Sequence, residues 1–240
     1  MARRIGGGWR RSPSHWGAIG LLSAWLAVPL VAQVGYEPRH SPYHDMPSGG
    51  LGLVTAGYLG GSRGSLGVGN SNGPTAGVRY QVPLGVLAFA LNLAYARPSR
   101  FVIDPTQPPL SRTTGPFKSG VVLADAGLQL VLTGKKTWRG FAPYVGGTLG
   151  LAVAANAPHD TSGYAFGTKF TFGPDAGVRW YPAGRVTVLA DFRATAWRLS
   201  YPASYKQPDQ AGDPTVLGTT ASTTEWTWHP WIAIGLGWTF

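Results

Sequence analysis

The sequence predicts an all-β protein, an eight-stranded antiparallel up-and-down barrel that crosses a membrane. Three observations predict it. Eight stretches alternate bulky apolar residues with small or polar ones at the two-residue period of a strand. The connections between these stretches alternate short and long. The face opposite the bulky one mixes Gly and Ala with charges. A narrow enclosed interior needs such small residues, whereas a water-facing surface does not. Composition agrees: charged residues make up 12% of the 240, against about 25% in soluble domains, while Gly (35), Trp (10) and Tyr (10) are plentiful.

The chain opens with Arg3, Arg4, Arg10 and Arg11 ahead of an apolar run from Gly17 to Val31. The run is short for the about twenty residues of a helical span, which disfavours a membrane anchor. A basic segment, a short apolar run and a small residue at Ala32 form the pattern of a cleaved secretory signal peptide, residues 1–32. Its removal would take four arginines and no acids, lowering the formal charge from +10 to +6. No cluster of Lys and Arg forms a nucleic-acid-binding stripe. The chain has no Cys, which excludes disulfides, thiolate metal sites and Cys nucleophiles. Residues 33–48 are polar, proline-containing and aperiodic, and are expected to form an N-terminal periplasmic extension. Residues 49–240 are expected to form the barrel.

The expected strands are 50–60, 75–83, 85–96, 119–133, 141–154, 166–181, 186–199 and 226–240. Each is near or above the about 9–11 residues that a tilted strand needs to cross a bilayer. Short links at 83–85, 134–140 and 182–185 alternate with longer ones at 61–74, 97–118, 155–165 and 200–225. Short periplasmic turns and longer outer loops are the rule in bacterial barrels. An even strand number places both chain ends on one side, the periplasm.

The alternation also sets which face meets lipid. In the sixth strand Phe166, Phe170, Phe172, Val178 and Trp180 oppose Lys169, Thr171, Asp175 and Arg179. In the seventh, Val186, Val188, Ala190, Phe192 and Ala194 oppose Thr187, Asp191, Arg193 and Thr195. The fourth sets Leu128, Leu130 and Leu132 against Asp125 and Gln129, and the second sets Val78, Tyr80 and Val82 against Arg79 and Gln81. With the bulky face outward, the lumen holds Arg79, Asp125, Lys169, Asp175, Arg179, Asp191 and Arg193. Buried charges require partners, so these are expected to form a plugging ion-pair network; the alternative is a gated polar path. A soluble lipocalin-like barrel would invert the assignment. Aromatic residues, which favour the two membrane interfaces, fall into two girdles. Trp138, Trp180, Tyr181, Trp238 and Phe240 lie near the periplasmic rim, and Tyr95, Phe166, Trp226 and Trp228 near the outer rim.

The chain closes on "WIAIGLGWTF", with Ile232, Ile234, Leu236, Trp238 and Phe240 on one face and small residues on the other. The terminal Phe240 after alternating apolar residues resembles the C-terminal signal of outer-membrane barrels, with Trp238 and Phe240 as its key positions. The whole region after the signal peptide resembles the small eight-stranded barrels of the OmpA/OmpX/OmpW type. That resemblance implies a non-enzymatic integral outer-membrane protein of a diderm bacterium, with a structural or surface-interaction role. It implies outer-membrane lipid, lipopolysaccharide and the barrel-assembly machinery as partners, and no cofactor. The alternatives are a narrow channel for small or hydrophobic solutes, as in OmpW-like barrels, and a lipid-modifying enzyme.

Three further clusters carry residue types that can do chemistry. His40 and His44, with Asp45, are spaced for metal binding only on a helix, which Ser41-Pro42 opposes, so no metal site is expected. His229 with Glu225, and Ser200 with Ser204, are the residue types of a lipid hydrolase, but His229 and Glu225 carry the inward phase. The segment "GVGNSNG" (67–73) fails the G-x-G-x-x-G spacing of a nucleotide loop and reads as a flexible outer loop.

Overall fold

The structure, a computed structural model, describes residues 41–154, 160–208 and 214–240. Residues 1–32, expected to form a signal peptide, lie outside the described residues, as do His40 and His159. In chain order the strands are β1 Tyr43–Asp45, β2 Leu51–Leu59, β3 Gly73–Leu84, β4 Leu87–Ala96, β5 Ser99–Ile103, β6 Thr113–Lys118, β7 Val121–Val131, β8 Lys136–Trp138, β9 Phe141–Ala154, β10 Gly167–Ala183, β11 Val186–Ser200 and β12 Thr224–Thr239.

Eight of them close a ring, β2-β3-β4-β7-β9-β10-β11-β12 and back to β2, every pair antiparallel. The closing pair runs from Trp231 opposite Leu59 to Thr239 opposite Leu51. Closure leaves no edge strand, so backbone groups are paired without water, which a hydrocarbon medium demands. The eight expected strands coincide with these eight to within a few residues. Two links are tight hairpins: Leu84 faces Leu87, and Ala183 faces Val186. Each turn starts on a glycine in the left-handed region, Gly85 (φ 76°) and Gly184 (φ 52°). Only glycine adopts that conformation without steric cost, and it is what a two-residue hairpin with the right twist needs.

Pro174 interrupts the wall. Between Phe172–Ala196 and Asp175–Arg193 the β10–β11 ladder lacks two pairs, while Pro174 stays opposite Gly147 on its other side. Proline has no backbone N–H, so the one ladder bond that this residue would donate is lost.

Four strands lie outside the ring. β5 and β6 form a separate hairpin within the 97–118 link, a segment without the alternation of a barrel strand. β1 pairs with β8, Tyr43 opposite Trp138, so the 134–140 link is a short strand with a partner and part of the aperiodic N-terminal segment is ordered against it.

The interior is layered. At the end that carries the short turns, Leu51, Leu53, Tyr144 and Leu189 form a small apolar cluster. A charged layer follows. Above it, at the outer end, Leu59, Trp197, Leu199, Trp231 and Phe166 merge with loop residues Val68, Tyr164, Tyr201, Tyr205 and Leu217 into the main apolar core. The outer loops are therefore folded onto the mouth of the barrel. Outward, the wall is a belt of exposed Val, Leu, Ile and aromatic side chains, the reverse of a soluble barrel.

Candidate functional site

The charged layer is built by parity. Asp191 and Arg193 are alternate residues on β11, Asp175 and Arg179 on β10, and Arg79, Asp125 and Gln129 come from β3 and β7; all are turned inward. Arg79 Nη1 donates to Asp191 Oδ1 at 2.8 Å, and Arg79 Nη2 lies 3.8 Å from Asp175 Oδ2. Arg193 Nε donates to Asp191 Oδ2 at 2.7 Å. Arg193 Nη1 stands 3.1 Å from both oxygens of Asp125, and Nη2 donates to Asn92 at 2.8 Å. Asn92 returns a bond to Asp125 at 2.6 Å. Gln129 donates to Asp175 at 2.6 Å and accepts from Arg179. Tyr144 donates its hydroxyl to Asp191. Its ring lies under the guanidinium of Arg179, 4.6 Å from centroid to Cζ, and Trp231 lies under Arg193 at 4.7 Å.

Three arginines and three aspartates thus meet in one connected network of zero net charge. Arg79, Arg179, Arg193, Asp175 and Asp191 are all buried. Lys169, assigned to the same layer from sequence, does not join it. It has the inward parity but stands only two residues from the outer end of β10, half-buried, with Nζ 6.0 Å from the Phe166 ring and no ion pair among the described residues.

The aromatic positions divide. Tyr95, Trp138, Trp180, Trp226, Trp228, Trp238 and Phe240 are exposed on the outside. Phe166 is not: it is 4% exposed and packs edge-on to Trp197, centroids 5.7 Å apart. Gly167, with φ 60°, begins β10 and resets the alternation, so Phe166 cannot be phased from Phe170. Tyr181 also departs from the girdle. It follows Trp180 directly, so in a strand the two face opposite sides. It lies half-buried near Arg179 and lines a small cavity with Met46 and Gln81.

The outer cap has its own polar framework. Arg100, buried, pairs with Asp160 and lies over the Tyr164 ring. Asp160 also accepts from the Ser162 backbone at 3.0 Å. Glu225 accepts from the backbone of Ser65 at 2.7 Å and from the Tyr201 hydroxyl. Burial and that bond to Glu225 push the Tyr201 hydroxyl up to about 12, and burial raises Tyr164 as well. Segment 67–73 is not a flexible loop. Val68, Asn70 and Ser71 are buried in the cap, with Ser119 donating to Asn70 at 2.6 Å. Between the β5–β6 hairpin and residues 160–161 lies an outward-opening cleft of about 540 Å3, lined by Asp104, Arg112, Phe117, Lys118 and Asp160 among others. No sequence period marks it, because its residues come from links rather than barrel strands. Asp104 is held below the usual carboxylate range: burial, the largest single influence, pushes it up, but the hydrogen bonds from the Thr106 and Thr161 hydroxyls and the Thr106 backbone together outweigh it.

The remaining candidates separate. His229 is fully buried, stacked on Trp197 with centroids 3.5 Å apart, and its Nε2 is 2.8 Å from Thr227 Oγ1. Ser200 is exposed at the end of β11, and Ser204 sits in the 3-10 turn Ala203–Lys206. The geometry a hydrolytic Ser–His pair needs is not formed by these residues. His44 and Asp45 are neighbours on exposed β1. Among the described residues no group of three or more His, Asp or Glu is arranged to hold a metal ion.

No protein-family model matches the chain, and no curated protein matches it. Solved structures do. Neisserial surface protein A matches over 82% of this chain and 100% of its own, at 16% identity and a TM-score of 0.52. The N-terminal β-barrel domain of Pseudomonas aeruginosa OprF matches over 80% and 100%, at 12% identity and a TM-score of 0.41. The attachment invasion locus protein Ail of Yersinia pestis, crystallised with the heparin analogue sucrose octasulfate, matches over 80% and 99%, at 12% identity and a TM-score of 0.31. At these identities the likeness to the first is one of fold: the chain has the architecture of the small eight-stranded outer-membrane barrels.

Proposed function

We propose that the protein is an integral outer-membrane barrel of a diderm bacterium, exported by a signal peptide at residues 1–32. In this reading it is neither a channel nor an enzyme, and acts by presenting a preformed outer cap to surface partners such as lipopolysaccharide. The observation that carries the reading is the Arg79–Asp191–Arg193–Asp125 network. A lumen crossed by buried, mutually paired charges leaves no wet path, and opening one would strand charges away from partners. The cap cleft, with charges of both signs beside exposed Phe117, is the kind of surface that takes polar ligands.

Two measurements test this. Refolded protein in planar bilayers should show no conductance steps; resolved steps would favour the narrow-channel reading. Proteoliposomes should adsorb to immobilised lipopolysaccharide through the cap, and an Asp104→Arg, Lys118→Glu double variant should reduce that adsorption. Equal adsorption would remove the surface role from the cleft.

A further inference from the structure

The lipid-facing wall is grooved in more than one place: a groove of about 720 Å3 is lined by Val54, Val78, Tyr80, Leu91, Leu236 and Trp238, and a second is walled by aromatic rings. Beside the ladder gap at Pro174, this second groove, of about 550 Å3, opens outward, with Gly147, Gly173 and Pro174 along its floor and Leu149, Phe172 and Trp228 among its walls. Phe172 and Trp228 are held rigidly: Phe172 meets Trp226 edge-on at 5.4 Å, Trp228 at 6.2 Å and Phe170 at 6.2 Å. Beneath these rings Ala196, though on the outward parity of β11, is 1% exposed.

Directly above stands a cation. Arg198, opposite Trp226 in the β11–β12 register, is outward and exposed. Its Nη2 donates to Thr224 Oγ1 at 2.7 Å. Among the described residues no carboxylate pairs with it, which leaves the outer face of the guanidinium available. Ala194, level with the groove floor, is four residues down the strand, about 13 Å at strand rise. The tilt of barrel strands, about 35–45°, makes that about 10 Å of depth, within the about 15 Å of one hydrocarbon leaflet.

We infer that this wall binds one phosphorylated, acylated lipid of the outer leaflet, of the lipid A class. Arg198 takes a phosphate, and one acyl chain runs down the aromatic face of Phe170, Phe172, Trp226 and Trp228. The chain ends in the groove floored by Gly147 and Gly173. The inference rests on the outer-membrane reading above. A guanidinium matches a phosphate in two-point geometry and is weakly enough hydrated to sit at the interface. The occupant is a lipid rather than a second copy because the cation and the groove lie at different depths of the same wall, within the span of one leaflet, with the cation exposed for an anion.

The test is native mass spectrometry of the full chain, folded in mild detergent and offered lipid A, dephosphorylated lipid A or phosphatidylglycerol. The wild type should retain one lipid A and discriminate against the other two. Gly147→Phe should project a ring into the groove, its Cβ accommodated because a Cβ at Gly147 meets nothing nearer than the Gly173 carbonyl at 3.7 Å. It should weaken retention by about tenfold or more. Arg198→Gln should weaken lipid A several-fold and leave the dephosphorylated form unchanged. Ala56→Phe, on the outward parity of β2, is the control and should retain lipid A fully. Equal retention of all three lipids, no effect of Gly147→Phe, or a dimer in place of a lipid adduct would each overturn the inference. Each can occur in a protein that still shifts on unboiled gels and inserts into vesicles. Failure to insert at all would instead overturn the outer-membrane reading, and this inference with it.

Discussion

Arg193 and Asp191, two residues apart on β11, turn to the same side of the wall and close a salt bridge of 2.7 Å from Nε to Oδ2. A strand places alternate residues on one face, so the pair is dictated by spacing alone. What the spacing does not dictate is that the other oxygen of Asp191 serves Arg79 from the far side of the barrel. Asp191 is thus the junction of two cations and the Tyr144 hydroxyl.

Asp191→Ala should therefore cost about 3–5 kcal/mol, because it leaves buried guanidinium charge without its partner. Urea unfolding in lipid vesicles measures this. A change within about 0.5 kcal/mol, the size of an ordinary solvated-surface substitution, would mean that the lumen is hydrated.

Unboiled protein should migrate differently from boiled protein on a denaturing gel. The ring has no edge from which strands can peel, so detergent without heat leaves it folded. Identical mobility together with a helical circular-dichroism spectrum would refute the barrel.

The strands were legible because the two environments of a barrel wall, lipid and packed lumen, impose a strict two-residue alternation on every residue between them. Where that constraint lapses, so did the reading. Phe166 lies one residue beyond the strand, behind a left-handed Gly167, and inherits nothing from Phe170. Tyr181 was placed on the same girdle as Trp180, which adjacent strand positions forbid. The β5–β6 hairpin is poorly phased because one of its strands, β6, is exposed at every position. The network partners Asn92, Gln129 and Tyr144 were missed as members for a different reason: alternation shows that a side chain points inward, not which one it meets across the lumen. Tyr144 signalled its role only as a polar aromatic on the inward phase of β9.

Phe172→Arg should be destabilised by about 2–4 kcal/mol, the cost of an arginine on the lipid face near the midplane. Thr171→Arg, on the buried side opposite Trp197, should be limited by crowding instead. Single cysteines separate the two, since the chain has none of its own. Those at 170, 172 and 178 should react with a lipid-soluble maleimide, and those at 171, 175 and 179 should not. The reverse pattern would turn the wall inside out.

The cap should loosen at high pH. The Tyr201 hydroxyl is raised to about 12 in the folded chain, against about 10 for a free tyrosine. A group whose folded value is raised contributes stability that is complete below the unfolded value and lost as pH climbs through the folded one. Between about pH 10 and 12 the near-ultraviolet circular dichroism of the cap aromatics should therefore decline while the barrel's far-ultraviolet signal persists. In Tyr201→Phe that step should shrink. An unchanged step would assign it to another group.

Phe166→Ala distinguishes a cap residue from a girdle residue. As a girdle residue, Phe166 would sit at the lipid interface, where truncation leaves a place that lipid refills, and stability would change little. As the structure has it, the ring is buried edge-on against Trp197, which in turn stacks on His229. Truncation there leaves a cavity in the outer core that neither lipid nor a flexible neighbour can enter, at about 3–5 kcal/mol. The lost packing should also free Tyr164 and Trp197, so protease should cut the outer loops of Phe166→Ala faster than those of wild type. Trp180→Ala, at the end of the barrel away from the cap, exposed and stacked only on Phe141 at 5.8 Å, should leave loop proteolysis unchanged. Equal loop protection in Phe166→Ala and wild type would return Phe166 to the membrane interface.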